Sequence, residues 1–272
     1  MVQPLEMVIE EDRRVATAAE FCADMLRAAL LRREVAPGEK LPAERELAVQ
    51  LGVDRGTLRA GLQRLVAQGL LVQRQGRGTE ARDFLDVGGL DLIAQLVRGA
   101  AAPAVVGHLA DLLLVRRHLA GAVLEALVEA PPSAAHRAAV VARVAVFGAL
   151  VARRGDGDDV DDDAVAAADI DVLAAVVAAT GRPVLRLAFN PVAALFRALP
   201  ALREAIVADA AASAPAYAAL VAWLEAPDHD GADALLALLA ARDAATLERL
   251  RARATAQKTA TVRAARRGGS RR

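Results

Sequence analysis

Residues 41–79 read LPAERELAVQLGVDRGTLRAGLQRLVAQGLLVQRQGRGT, and this stretch decides the fold of the first part of the chain. Pro42 suits the first turn of a helix, Leu47, Ala48 and Leu51 point one face inward, and Gly52 is placed to end the helix with a left-handed residue. Asp54 then offers a side-chain oxygen to the exposed amides of a following helix, whose apolar positions are Leu58, Leu62, Leu65 and Val66 and whose stop is Gly69. Two short helices separated by Gly-Val-Asp predict a helix-turn-helix. Beyond Gly69 the periodicity changes: LLVQRQGRGTEAR reads as a strand, a glycine-flanked turn over Gln75–Gly78 and a weaker second strand, a small β-wing. Residues 55–79 carry Arg55, Arg59, Arg64, Arg74 and Arg77 and no acidic residue, a local basic face suited to phosphate.

Upstream, Phe21, Met25, Leu26, Ala29 and Leu30 recur at helical spacing before the Pro37-Gly38 break, which predicts a first helix over about residues 18–30. Downstream, a short linker over 82–89 leads into sequence that reads as helix throughout. Its longest segment, roughly 103–129, aligns Leu109, Leu112, Leu113, Leu119, Val123, Leu124 and Leu127 on one face. The expected fold is mostly α: an N-terminal winged helix-turn-helix with a small β-wing, followed by an all-α helical bundle. The expected boundaries are an N-terminal extension over 1–16, the winged head over 17–83, the bundle over 84–253 and a basic tail over 254–272 that frays.

Composition agrees and narrows the function classes. The 272 residues are 55% hydrophobic but only 3% aromatic, so the interior is expected to be Ala, Leu and Val packed between helices. Formal net charge is zero, which leaves the Arg55–Arg77 block as a local feature and not part of a uniformly basic surface. A single cysteine, Cys22, rules out an intrachain disulfide and fits a reducing compartment. The N-terminal sequence MVQPLEMVIEEDRR is unlike a signal peptide, and no later apolar run reaches about 18 residues free of charge and proline, so a cytoplasmic location without membrane spanning is expected. GDGDDVDDD over 155–163 lacks the glycine and terminal Glu of a calcium loop and reads as a solvated cap for the next helix.

The combination of PAERELA, Gly-Val-x-Arg, TLR, Leu-x-x-Gly-Leu and a glycine-rich wing resembles the winged-helix head of the GntR family of bacterial regulators over about residues 17–82. The resemblance implies a double-stranded DNA partner, with a pseudo-palindromic operator read by a homodimer. Carried onto this sequence, the DNA-binding positions are Arg45 in the first helix of the pair, Arg55, Gly56, Thr57 and Arg59 at the start of the recognition helix, and Gln75, Gly76 and Arg77 at the wing tip. Asp54 and Gly56 stand where related heads commonly carry small hydroxyl residues; Asp54 is read as a helix cap because phosphate repels a carboxylate.

GLDLIAQL, LADLLLVRRHLAGAVLEAL and ADIDVLAAVVAATGRPVL resemble the effector domains of the FadR-like, fatty-acid-metabolism branch of that family. The resemblance implies a dimerising bundle that encloses a small-molecule effector. Many members hold a divalent metal with an Asp and histidines; here Asp169 matches the carboxylate, but Leu173 and Ala218 replace the histidines, so no metal and no cofactor is expected. Arg116 falls on the apolar face of the long helix and needs a buried partner, either an internal carboxylate such as Asp169 or an anionic effector. Tyr217 and Trp223 are placed near the same cavity, with core packing as their alternative role. The candidate effector set is thus Arg116, Asp169, Tyr217 and Trp223, and the expected ligand is of the acyl-coenzyme A type. A small carboxylate bound without metal, or a DNA binder that ignores metabolites, are the alternatives. Neither a G-x-S-x-G elbow nor HExxH nor a phosphate-binding P-loop occurs, so no enzyme is expected.

Overall fold

The structure, a computed structural model, describes the backbone of residues 5–74, 78–100, 102–208 and 210–268. Its packing divides the chain into two units, Met1–Ala100 and Ala101–Arg272.

The first unit contains α1 (Leu5–Leu31), α2 (Glu44–Leu51), α3 (Arg55–Ala67), β1 (Leu71–Arg74), β2 (Gly78–Ala81), α4 (Phe84–Val87) and, after a single 3-10 turn, α5 (Ile93–Gly99). The expected pair of short helices is present, with α3 starting directly after Asp54, but Pro42, expected in the first turn of α2, lies ahead of it: the helix starts at Glu44 with Ala43 as its N-cap. Gly52 closes α2 with φ of 66° and donates its amide back to the last turn, a left-handed cap that a Cβ would strain. Asp54 caps α3 by accepting the Thr57 amide at 2.9 Å. Leu58, Leu62 and Leu65 are fully buried against α1 and β1. The α1–α3 contact is tight at Gly61, where a Cβ would stand 3.1 Å from Cys22 Sγ and 3.2 Å from the Ala19 carbonyl oxygen. β1 and β2 pair antiparallel with Leu71 opposite Ala81 and Arg74 opposite Gly78, and residues 38–41 add hydrogen bonds along β2.

Two features of this unit differ from the sequence reading. Helix α1 starts at Leu5, well before the expected residue 18, because nothing in 5–17 breaks a helix. Residues 84–100, assigned from sequence to the start of the bundle, pack with the head: Leu92 joins its core, and Arg33 clamps Asp83 through two hydrogen bonds of 2.9 and 3.0 Å while lying over the Phe84 ring.

The second unit is all helical: α6 (Ala102–Glu129), α7 (Ala134–Gly155), α8 (Asp162–Ala179), α9 (Pro183–Ala198), α10 (Pro200–Val207), a 3-10 turn over Ala210–Ala212, α11 (Ser213–Trp223) and α12 (His229–Gly268). Ser133 caps α7 and Asp161 caps α8. The acidic run 155–163 is a capping loop whose charges meet Arg153 and Arg154. α8 is the central element, burying residues all round its circumference, which is why its sequence shows no polar face. Among the described residues α7 alone is long and apolar enough to cross a membrane, yet it packs along α8 and sends Val140 and Phe147 into the bundle core. The basic tail, expected to fray, continues α12 as helix to Gly268; its Ala, Arg, Lys and Gln content favours helix even without packing.

Candidate DNA-binding and effector sites

The first residues of α3 form the exposed rim of the head. Asp54 Oδ1 takes the Thr57 amide and Oδ2 accepts the Thr57 hydroxyl at 2.5 Å, so Thr57 is buried and its hydroxyl proton is committed to the cap. These bonds, the hydroxyl first, hold the Asp54 carboxyl below the usual carboxylate range and keep it ionised. Gly56 is exposed and its lack of a side chain serves the same cap, since a Cβ would stand 3.0 Å from Asp54 Oδ1.

The arginines on this rim are not equivalent. Arg45 and Arg55 are exposed and, among the described residues, make no ion pair. Arg59 is exposed too, but its Nε donates to Glu44 Oε2 of α2 at 2.7 Å. That bond occupies one edge of the guanidinium and leaves both terminal nitrogens open, the fork that can reach guanine O6 and N7 or a phosphate. Arg64 and Arg74 are drawn to Glu20 and Glu80 at 2.9 and 3.4 Å, so the acid-free block of the sequence is partly neutralised from outside it. Gln75, Gly76 and Arg77 lie outside the described residues.

In the second unit a cavity of about 120 Å³ opens among α6, α8, α9, α11 and α12. Its wall is almost wholly aliphatic, with Leu119, Val123, Leu173, Val176, Val192 and Leu239 prominent, and its polar members are Arg116, Tyr217 and Arg242.

Arg116 is 9% exposed, inside the bundle as its helical phase requires, but its partner is not Asp169. It pairs with Asp243 of α12 and sits with Cζ 5.2 Å above the Phe196 ring. Asp169 instead accepts the Tyr217 hydroxyl at 2.5 Å and lies 3.6 Å from Arg242 Nη2. Arg242 in turn lies 5.8 Å from the Tyr217 ring centre, and Phe147 meets the same ring edge-on at 5.2 Å. Burial, then the Asp169 charge, pushes the Tyr217 hydroxyl far above its ordinary value, so it stays a neutral donor. Burial opposes the Arg242 charge, but Asp169 and Tyr217 outweigh it and raise its pKa. Burial also raises the Asp243 carboxyl, against the pull of Arg116, Arg117 and Arg242. Two atoms of this cluster, Arg116 Nε and Asp243 Oδ2, are buried without a hydrogen-bond partner.

Of the four effector residues expected from sequence, Arg116 and Tyr217 line the cavity and Asp169 stands behind Tyr217. Trp223 is not part of the wall; its indole nitrogen donates to the Asp228 carbonyl at 3.0 Å and its ring belongs to the core. Sequence reasoning missed Arg242 and Asp243. Leu235, Leu239, Arg242 and Thr246 recur at helical spacing, the same signal that placed Arg116. A metal does not fit here: Leu173 and Ala218 offer no ligand, and among the described residues no three His, Cys, Asp or Glu side chains converge.

Residues 18–80 match the family described as bacterial regulatory proteins, gntR family. The fatty acid metabolism regulator protein of Edwardsiella ictaluri (strain 93-146) is 31% identical over 187 residues, covering 67% of this chain and 71% of that protein. The protein of the same description from Serratia proteamaculans (strain 568) is 29% identical over 185 residues, with the same coverage. Over the head alone, the HTH-type transcriptional regulator Mce2R of Mycobacterium tuberculosis is 50% identical across 68 residues, 25% of this chain and 28% of that one. Among solved structures, that of Lar, described as controlling expression of the Listeria monocytogenes agr system, superposes with a TM-score of 0.53 at 13% identity, covering 86% of this chain and 96% of the other, and so shares the fold. A winged head with an exposed arginine rim, a helical second unit and a relative that matches across both place the chain in the GntR family of bacterial regulatory proteins, as a DNA-binding transcription regulator similar to the fatty acid metabolism regulator proteins.

Proposed function

We propose that a homodimer of this chain, working in the cytoplasm, binds a short pseudo-palindromic operator, and that an effector of the acyl-coenzyme A type held in the second unit changes its operator affinity. α3 of each protomer would enter the major groove of a half-site, with Arg55 and Arg59 as the base readers, Arg45 at the backbone, Gly56 allowing close approach, and Gln75, Gly76 and Arg77 at the wing. Thr57 supports the reading surface through its bond to Asp54.

The observation that carries the effector reading is the aliphatic cavity with two arginines in its wall, in a chain that over two thirds of its length is similar to proteins described as fatty acid metabolism regulators. The cavity, Arg116 and Tyr217 supply an apolar seat with a polar margin, the usual make-up of a small-molecule site. The effector acts through its unequal affinity for the operator-binding and non-binding states; no catalytic step is involved. The test is to select an operator from random-sequence DNA with the full chain, then titrate the complex with acyl-coenzyme A of increasing chain length. Release that depends on chain length is expected. If no acyl thioester changes affinity while a short organic acid does, the effector is a small carboxylate; if neither does and no ligand shifts thermal unfolding, the protein binds DNA without an effector.

A further inference from the structure

Resting on the acyl reading of the cavity, the geometry also limits which acyl group it takes: we propose that the buried part of the effector is an uncharged acyl group of about four to six carbons, its carbonyl accepting the free Nε–H of Arg116.

Charge decides the first half. Arg116 and Arg242, the cations of the cavity wall, are each matched by a carboxylate, Asp243 and Asp169. A free acid seated among these groups would add a buried charge where both cations of the wall are already paired. A thioester carbonyl avoids this, because it accepts a hydrogen bond and brings no charge. Arg116, a residue of the cavity wall, carries a buried Nε–H that no atom of the described residues accepts, a donor that a carbonyl in the cavity would satisfy.

Volume decides the second half. An apolar cavity of about 150 Å³ holds a benzene ring, so the 120 Å³ found here holds a group of roughly six heavy atoms or fewer. A sixteen-carbon chain, at roughly 30 Å³ per heavy atom, would need on the order of 500 Å³, several times what lies between these helices.

The experiment uses the full chain on its selected operator, titrated with acetyl-, butyryl-, hexanoyl-, octanoyl-, dodecanoyl- and hexadecanoyl-coenzyme A and with butyrate and hexanoate. Butyryl and hexanoyl thioesters are expected to release DNA at concentrations at least tenfold below those of the dodecanoyl and hexadecanoyl thioesters and of the free acids. Ala216 of α11 also lines the cavity, and Ala216→Phe, which places a ring in that space, is expected to abolish release while leaving operator affinity unchanged. Because removing Arg116 alone strands Asp243, the contact is tested in Arg116→Met/Asp243→Leu, expected to fold with wild-type Trp223 emission and to need at least tenfold more butyryl thioester. Strongest release by the long thioesters overturns the size limit and leaves the acyl reading intact. Equal potency of free hexanoate overturns the requirement for a neutral group, and an undiminished response in the double variant overturns the Arg116 contact. Silence of every thioester overturns the acyl reading itself.

Discussion

Replacing Arg116 by Met removes a buried guanidinium and leaves Asp243, 3% exposed, with neither of its oxygens bonded. The carboxyl then has two choices, to remain ionised without its partner or to take up a proton. Protonation sets the ceiling on the loss. For a carboxyl with an unfolded pKa near 3.9, being neutral at pH 7 costs roughly 4 kcal/mol, and at pH 5 roughly 1.5 kcal/mol. The remaining fields of Arg117 and Arg242 soften the ionised alternative, so the expected loss at pH 7 is about 3 kcal/mol, at the lower end of what breaking a buried pair costs. The sign of the pH effect follows from linkage. The folded carboxyl, already raised by burial, rises further without Arg116, so between the two pKa values the folded state binds more protons than the unfolded one. Stability of the variant relative to wild type therefore increases as pH falls from 7 toward the ordinary carboxylate range, by about 1.5 kcal/mol at pH 5. The double variant Arg116→Met/Asp243→Leu removes both charges and is expected to lie within about 1 kcal/mol of wild type, or above it, at either pH. Urea unfolding followed by the emission of Trp223, the only tryptophan, reports on the second unit alone. A penalty for Arg116→Met that is the same at pH 5 and pH 7, or a double variant as unstable as the single, would refute this account of the pair.

Arg55→Ala and Arg59→Ala are each expected to weaken operator binding by about 1–3 kcal/mol per base-reading contact, measured by fluorescence anisotropy at fixed salt, with unchanged affinity in both sinking the assignment. Glu44→Gln loosens the hold on Arg59 Nε and is expected to lower the ratio of operator to random-DNA affinity more than it lowers random-DNA affinity itself; a uniform change in both would place Glu44 in general electrostatics only. Leu58→Ala empties a fully buried site between α1 and α3 and is expected to cost about 2–5 kcal/mol, read as faster amide exchange across α1 and α3.

The head was readable because its information is local. Gly52, Asp54 and Gly69 terminate or start helices through bonds to residues within four positions, so the sequence neighbourhood contains the whole cause. The apolar spacing of Leu58, Leu62 and Leu65 then says which side of α3 is buried, and by elimination which side carries Arg55 and Arg59 outward. The assignment of 84–100 failed for the complementary reason. A composition shift marks where a linker begins, but the side to which a short helix docks depends on distant partners, here α1 through contacts with α5 and the Arg33–Asp83 clamp fifty residues apart.

The effector site divides along the same line. Helical phase gave the radial direction of Arg116 and would have given that of Arg242, because both share faces with leucines one turn away. Phase says nothing of what stands opposite, since that depends on how each helix is rotated and staggered against its neighbours. Asp169 and Asp243 are both inward carboxylates, on α8 and α12, and only the packing of α12 along α6 brings Asp243, not Asp169, to Arg116. The consequence reaches the ligand. Had Arg116 met no carboxylate, the cavity would hold an unbalanced cation and select an anion; with Arg116 on Asp243 and Arg242 on Asp169, both cations are answered from within, and what the cavity lacks is an acceptor for one N–H and apolar atoms to fill its volume.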